Sequence, residues 1–378
     1  MAKDHELLLH VIIANSAIHL WNTSVPPLKS VRSSSVGTSR QKCRRLGNSN
    51  SSRVLQDALA AKQRTIELIR HSLDHIDTAD KDILLASILL SINFELVNSG
   101  KDDWRVHVEG AKRLIDVFGL SAASSNPTLS LLHDYVVSDC LIYYILGSAF
   151  SSYESSKQIL HYPIDVLPML ERAEANSYLS CPAVLLQILL EASRLSSRSI
   201  PELEEHQSRY DEAKKAFHLL EVASSFDVYS WAKCVQGVST HGDFKSRTHV
   251  ALAHQSAVCL YIHRAVPFAG LLNEEGIKIL VNTIIDNLSS IPAGDQLLKG
   301  TSWPTFIAGA ESTNHTQQAW SIEHLHGLWQ VLPWGYVHTA IEMLETIWDD
   351  RSSPNDPTAN ATGWLQTLKL LGNDWIVV

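Results

Sequence analysis

From Asp82 to Asn98 the chain reads DILLASILLSINFELVN. Ile83, Leu84, Leu85, Ile88, Leu89, Leu90, Ile92, Phe94, Leu96 and Val97 would fall on almost every side of a 3.6-residue helix. A helix that is apolar all round has to be covered all round, so this spacing predicts a core helix wrapped by others. Gly100 ends it as a left-handed cap. Asp102 and Asp103 then supply an acidic N-terminal cap and first turn for a second helix. That helix carries Val106, Val108, Ala111, Leu114, Ile115 and Phe118 at helical intervals, with small Gly110 and Ala111 allowing close approach to the first. The stretch from Asp80 to Gly119 therefore predicts a helical hairpin on which the rest is organised.

Elsewhere the helical period recurs and the strand period does not. Residues 4 to 22 predict a helix with Leu7, Leu8, Val11, Ile12, Ala14, Ile18 and Leu20 inward, stopped by Val25-Pro26-Pro27. A further helix is predicted from Val54 to Leu73, with Leu55, Leu59, Ile66 and Ile69 in the core, and a long helix or pair of helices from Leu129 to Tyr153. Tyr162-Pro163 and Leu167-Pro168 argue against regular structure, whereas Cys181-Pro182 opens a helix to about Arg198. Later helices are expected at Ile200 to Ala223, Arg247 to Val266, Asn273 to Leu288, Ala319 to Leu332, Val337 to Asp350 and Trp364 to Leu371. No alternating strand or Asn-Gly hairpin interrupts them. The expected fold is all-α, an array of packed antiparallel helix pairs.

Between Lys29 and Arg53 the composition changes. The stretch is serine-rich and basic, with no acidic residue, and has too little apolar surface to offset the entropy of ordering. The organisation expected is a first helix within residues 1–28, a disordered basic loop at 29–53, and the remainder of one helical domain at 54–378. Arg40, Lys42, Arg44 and Arg45 form a candidate nuclear import signal. A solvated insertion, or retained non-coding sequence, is the alternative.

Charge and cysteine usage bound the partners. A formal net charge of −9 excludes a chain that grips phosphates over its whole surface. Five widely scattered cysteines suggest reduced thiols rather than a disulfide framework. No apolar run approaches the roughly 18 residues a transmembrane helix needs, so no membrane association is expected.

Two blocks carry a family resemblance. An apolar helix ending FELVNSG, then Trp104, then HVEGAKRLI, resembles the central signature of the fungal-specific transcription factor domain. WPTFIAGAE, from Trp303 to Glu311, resembles a second block of the same family. Counterparts of ELLLHVIIANSAIHL, SCPAVLLQIL, VCLYIHRAV and HTAIEMLETIWDDR extend the resemblance over nearly the whole chain. Its signature positions here are Trp104, His107, Gly110, Ala111, Trp303, Pro304 and Gly309, with Pro304 expected at the first position of a helix. The resemblance implies an all-helical regulatory region that usually follows a two-zinc, six-cysteine DNA reader. Such a reader needs clustered cysteines, and Cys43 is the only one before Cys140, so direct sequence-specific DNA binding is not expected of these residues. The first helix begins close to Met1, where the family has a preceding region; that region is expected to be absent, the alternative being an incomplete gene product whose true start lies upstream.

Other chemistry is sparse. There is no G-x-G-x-x-G, no P-loop and no G-x-S-x-G elbow. His249 with His254 and His324 with His326 lack the i, i+4 spacing of a helical metal pair, and His241 with Asp243 makes at most half a site. No metal or cofactor is expected. His107, with Glu95 or Glu109 beside it, is the candidate proton-transfer group; the alternative is that Trp104 plugs the helix junction while His107 and Glu95 satisfy each other. The tryptophans concentrated after residue 300 suit a core, or the lining of a cavity for an apolar molecule.

The function expected is regulation of a fungal metabolic or biosynthetic gene set in the nucleus, or in nucleus and cytoplasm. The chain would act through partners, such as a full-length zinc-cluster relative or a second copy, or by sensing a small-molecule effector. The alternative is a small-molecule-binding protein or enzyme of fungal secondary metabolism on the same scaffold; an enzyme is the less favoured reading.

Overall fold

A computed structural model describes residues 5–24, 49–101, 103–118, 127–152, 166–198, 206–239, 243–352 and 363–378. The described residues form fifteen α-helices and no strand, so the fold is all-α. In chain order these are α1 (Glu6–Ser24), α2 (Ser49–Asp74), α3 (Lys81–Asn98), α4 (Trp104–Phe118), α5 (Pro127–Phe150), α6 (Leu167–Ala173), α7 (Ala183–Arg198) and α8 (His206–Ser225). There follow α9 (Val228–Gln236), α10 (Phe244–Ala265), α11 (Glu274–Ser289), α12 (Ser302–Glu311), α13 (His315–Val331), α14 (Tyr336–Ser352) and α15 (Trp364–Leu370).

Short polar side chains start many of these helices. Asp80 accepts from the amides of Asp82 and Ile83 at 3.1 Å, Asp243 from Ser246 at 2.7 Å, Asn273 from Gly276 at 2.8 Å and Asn314 from Gln317 at 2.9 Å. Each satisfies a donor that a helix start leaves open. Asp243 is thus a cap, and its expected partner His241 lies outside the described residues. Pro168 sits in the first turn of α6, where a missing N–H costs nothing, so a short helix forms where prolines argued against one. Helix α9 was likewise not expected.

Neighbouring helices pack in pairs: α1 on α2, α3 on α4, α10 on α11, and α12 on α13. As its composition requires, α3 is covered by α1, α4 and α5, and Ile92 and Leu96 are fully buried. A second central helix, α10, contacts α7, α8, α9, α11 and α12 and buries Val250, Ala251, Ala257, Leu260, Tyr261 and Ile262. One continuous apolar core joins the two.

On the outer face the expected core pattern needs correction. In α1, Ile12 and Leu20 are exposed while Asn22 is buried, donating to the carbonyls of Val97 at 2.6 Å and Pro333 at 3.0 Å. In α2, Ala58, Ala61, Thr65 and Ile69 face inward, leaving Leu59 and Ile66 exposed. Helix α2 also begins at Ser49, inside the segment expected to be a loop; residues 25–48, with Arg40, Lys42, Arg44 and Arg45, lie outside the described residues.

Candidate functional site

The hairpin of α3 and α4 turns at Gly100, whose φ of 68° is the left-handed conformation that glycine adopts freely. Asp102 lies outside the described residues, and Asp103 precedes α4. Opposite the turn runs the C-terminal segment. The Ile376 amide donates to the Gly100 carbonyl at 3.2 Å, and Lys101 pairs with Trp375 in an isolated antiparallel bridge. Trp104 is buried, and its indole N–H donates to the Asp374 carbonyl at 3.1 Å. The Asp374 carboxylate accepts from Arg105 at 2.9 Å and from the Ser152 amide at 3.2 Å. One aspartate thus ties the hairpin, the end of α5 and the C-terminal segment together.

Below the turn, Glu95 is 2% exposed. Lys62 Nζ on α2 lies 2.7 Å from its Oε1, and His107 Nε2 lies 3.6 Å from the same oxygen. Burial by itself would raise the Glu95 carboxyl, but the closeness of His107 and Lys62, with the Lys62 charge, holds it below its ordinary range. A carboxylate held ionised in this way is a weak proton acceptor. Lys62 also stands 5.1 Å from the Phe94 ring and 3.8 Å from Asp103. The structure therefore brings Glu95 and His107 together and adds Lys62, which the sequence did not point to.

Glu109 is placed elsewhere, on the rim of an open groove of about 520 Å³ between α2 and α4. Ile66, Leu73 and Val106 form its apolar wall, and Arg70, Arg113 and His107 border it. Gly110 also faces this groove, with nothing within 4 Å of a β-carbon placed there, so it is not the close contact expected. Ala111 is that contact, fully buried. Val106, expected inward, is 74% exposed.

The second signature block is α12 itself, buried along its whole length. Pro304 is its third residue rather than its first, still within the turn that needs no N–H. Trp303 lies parallel to His254 with ring centroids 6.1 Å apart, and His254 Nε2 donates to the Gly300 carbonyl at 2.9 Å. Burial lowers the pKa of His254 to about 4, against weaker support from the Gly300 and Leu179 carbonyls, so the ring is neutral at pH 7. A β-carbon on Gly309 would meet Leu344 and Ser321 at 3.0 Å, and the Gly309 carbonyl accepts from the Trp348 indole at 3.0 Å. Glu311 closes the helix in a two-pronged ion pair with Arg264, at 2.7 and 2.6 Å, and accepts from the Trp364 indole at 2.7 Å.

Other expected histidines diverge. His249 meets Asn287 at 2.8 Å, and His324 meets Thr301 at 3.0 Å and stacks on Trp320. Among the described residues no group of three metal-ligating side chains converges, and no helix is long and apolar enough to cross a membrane. The Glu311, Arg264 and Asp374 contacts were not foreseen. The available signal for Glu311 was a carboxylate at the end of an otherwise apolar block.

A family described as the fungal specific transcription factor domain matches residues 1–378. The acriflavine sensitivity control protein acr-2 of Neurospora crassa is 35% identical over 388 residues, covering 100% of this chain and 62% of its own length. The chain thus spans somewhat less than two thirds of that curated relative. No solved structure matches.

Proposed function

The chain belongs to the fungal specific transcription factor domain family, and on that premise we propose that it is the regulatory body of a nuclear transcription regulator that works through protein partners. The family match along the whole chain carries this reading. Within these 378 residues no cysteine grouping suits a two-zinc cluster, so contact with DNA falls to a reader outside them, such as one carried by a zinc-cluster relative. The genes controlled belong to a metabolic or biosynthetic set, and the name of the relative, a sensitivity control protein, is consistent with a chemical-response set.

The assignment of Trp104, His107, Ala111, Trp303, Pro304 and Gly309 to a scaffold is part of the same proposal. Glu95 is occupied by a lysine and a histidine at once, and Trp104 and Trp303 are spent on packing. Those contacts favour a device whose helix packing shifts with its partner over one that turns over a substrate. Gene deletion with transcripts and metabolites measured together tests the reading. A coherent set of changed transcripts is expected; a lost metabolite with unchanged transcripts would defeat the proposal and favour an enzyme.

A further inference from the structure

Helix α2 presents an apolar row to solvent. Leu59, Ile66 and Leu73, at seven-residue intervals, are 49%, 41% and 43% exposed; Ile66 and Leu73 share a groove with Val106 on α4, and Leu59 lies in an adjoining depression with Lys62, Gln63 and Glu67. Residues seven apart lie on one face of a helix, and from Leu59 to Leu73 that face is about 21 Å long, nearly four turns, enough for a second helix to lie along it. Among the described residues no helix covers it. Isolated exposed apolar side chains are ordinary, but Ile66, Leu73 and Val106 grouped at one groove mark an interaction surface.

The charges beside the row select its occupant. Arg70 and Arg113, both exposed, stand on the α2 and α4 sides of the groove; the only carboxylate among its lining residues is Glu109, and Glu67, in the adjoining depression beside Leu59, is paired with Arg64 at 3.2 Å. Arg105 also lines it but is engaged by Asp374. The groove is therefore locally cationic on a chain whose formal charge is −9. A second copy is less well matched. Two α2 rows packed antiparallel about Ile66 would set Arg70 of each copy against Lys62 of the other, whose ammonium is already held by Glu95, so this register offers Arg70 no carboxylate directly opposite.

We infer that the groove between α2 and α4 is the docking site for an acidic amphipathic helix of a partner protein, its apolar stripe on Ile66, Leu73 and Val106, extending toward Leu59, and its carboxylates against Arg70 and Arg113. The inference rests on the reading of the chain as a partner-dependent regulator and gives that partner its chemistry. A helix in an apolar groove, anchored at i, i+3, i+4 and i+7, is a general recognition mode.

A display library of helical peptides of roughly 18 residues, with a fixed apolar stripe and random flanks, is selected against the purified 378-residue chain. The expected result is recovery of peptides rich in Asp and Glu, whose affinity falls about ten-fold or more on a chain carrying R70E and R113E, falls likewise on V106D, and weakens with added salt. All three positions are exposed, so unchanged melting temperatures are expected to separate lost docking from lost folding. Recovery of basic or neutral peptides, no recovery at all, or acidic peptides indifferent to both variants would overturn the inference. So would light scattering that finds a dimer which V106D dissociates, or binding to phosphatidylserine vesicles that R70E and R113E abolish while peptide binding persists. None of these readouts involves transcription. Acidic-peptide binding with unchanged transcripts in the deletion strain sinks the regulator reading alone, and the reverse result sinks the docking site alone.

Discussion

Trp104 and Gly147 are a matched pair: a β-carbon on Gly147 would stand 2.2 Å from the indole Cη2 of Trp104 and 2.5 Å from its Cζ3. The ring thus occupies a notch in α5 that only glycine leaves open. This is why the tryptophan of the first signature block lies flush in the core at the mouth of the α3–α4 hairpin.

That pairing predicts strong coupling between the two positions. Gly147→Ala forces the indole or the backbone to shift and should cost about 1–3 kcal/mol, the range for overpacking. Trp104→Ala should cost about 3–5 kcal/mol from lost burial and a cavity. In the double variant the new methyl group has space, so the Gly147→Ala cost should largely vanish. Urea unfolding of the four chains in a double-mutant cycle measures this, and strictly additive costs would contradict the contact.

Glu311 predicts a contrast between buried and exposed ion pairs. Its side chain is fully enclosed: Oε1 and Oε2 each accept from Arg264, and Oε1 also accepts from the Trp364 indole. Glu311→Ala leaves a largely buried guanidinium and an indole N–H without their acceptor, with an expected loss of about 3–5 kcal/mol. Glu342→Ala, which breaks the exposed Lys101–Glu342 pair, should cost no more than about 1 kcal/mol. Equal losses in chemical denaturation would mean that the burial of Glu311 has no energetic weight.

These sites differ in how far the sequence exposes them. The density of Ile and Leu in α3 leaves it no solvent face, so its core position followed directly. Helix α10 is equally buried, yet its faces hold His254, Gln255 and Ser256, which disguise a core helix as a mixed one. In α2, periodicity identified a helix and placed Ile69 inward, but misplaced Leu59 and Ile66. Ala58, Ala61 and Thr65 are small enough to pack closely on α1, and that displaces Leu59 and Ile66 to the surface. Local pattern cannot report which face finds a neighbour. Lys62 at Glu95, and Asp374 at Arg105 and Trp104, are contacts between residues far apart in sequence and leave no periodic trace.

The C-terminal segment is predicted to be part of the hairpin's fold rather than an appendage. Asp374→Ala removes the acceptor of Arg105 and of the Ser152 amide, both on partly buried groups, and should cost about 1–3 kcal/mol. Protection of the amides around Gly100 against hydrogen exchange should fall, because Ile376 donates to the Gly100 carbonyl beside that joint. Unchanged stability together with unchanged exchange would detach the segment from the hairpin.

Acid sensitivity should arise largely from buried imidazoles. His254 and His324 are both lowered to about 4 from the ordinary 6.5, chiefly by burial, so the unfolded chain binds their protons first as pH falls. A group whose folded pKa is depressed contributes stability in full above its unfolded value. Each histidine should therefore contribute fully above pH 6.5 and progressively less from there down to about 4, for up to roughly 3 kcal/mol apiece. Glu95, also depressed, adds a loss at lower pH, as it protonates through and below the ordinary carboxylate range. The two windows can be separated by variants. His254→Leu should lower stability at pH 7 by removing the Gly300 contact, but should flatten the slope of unfolding free energy between pH 6.5 and 4. Glu95→Gln should leave that slope in place and reduce only the steeper part below it. Urea midpoints at intervals of pH read both slopes, and an unaltered slope in His254→Leu would show that this ring titrates alike in the folded and unfolded chains.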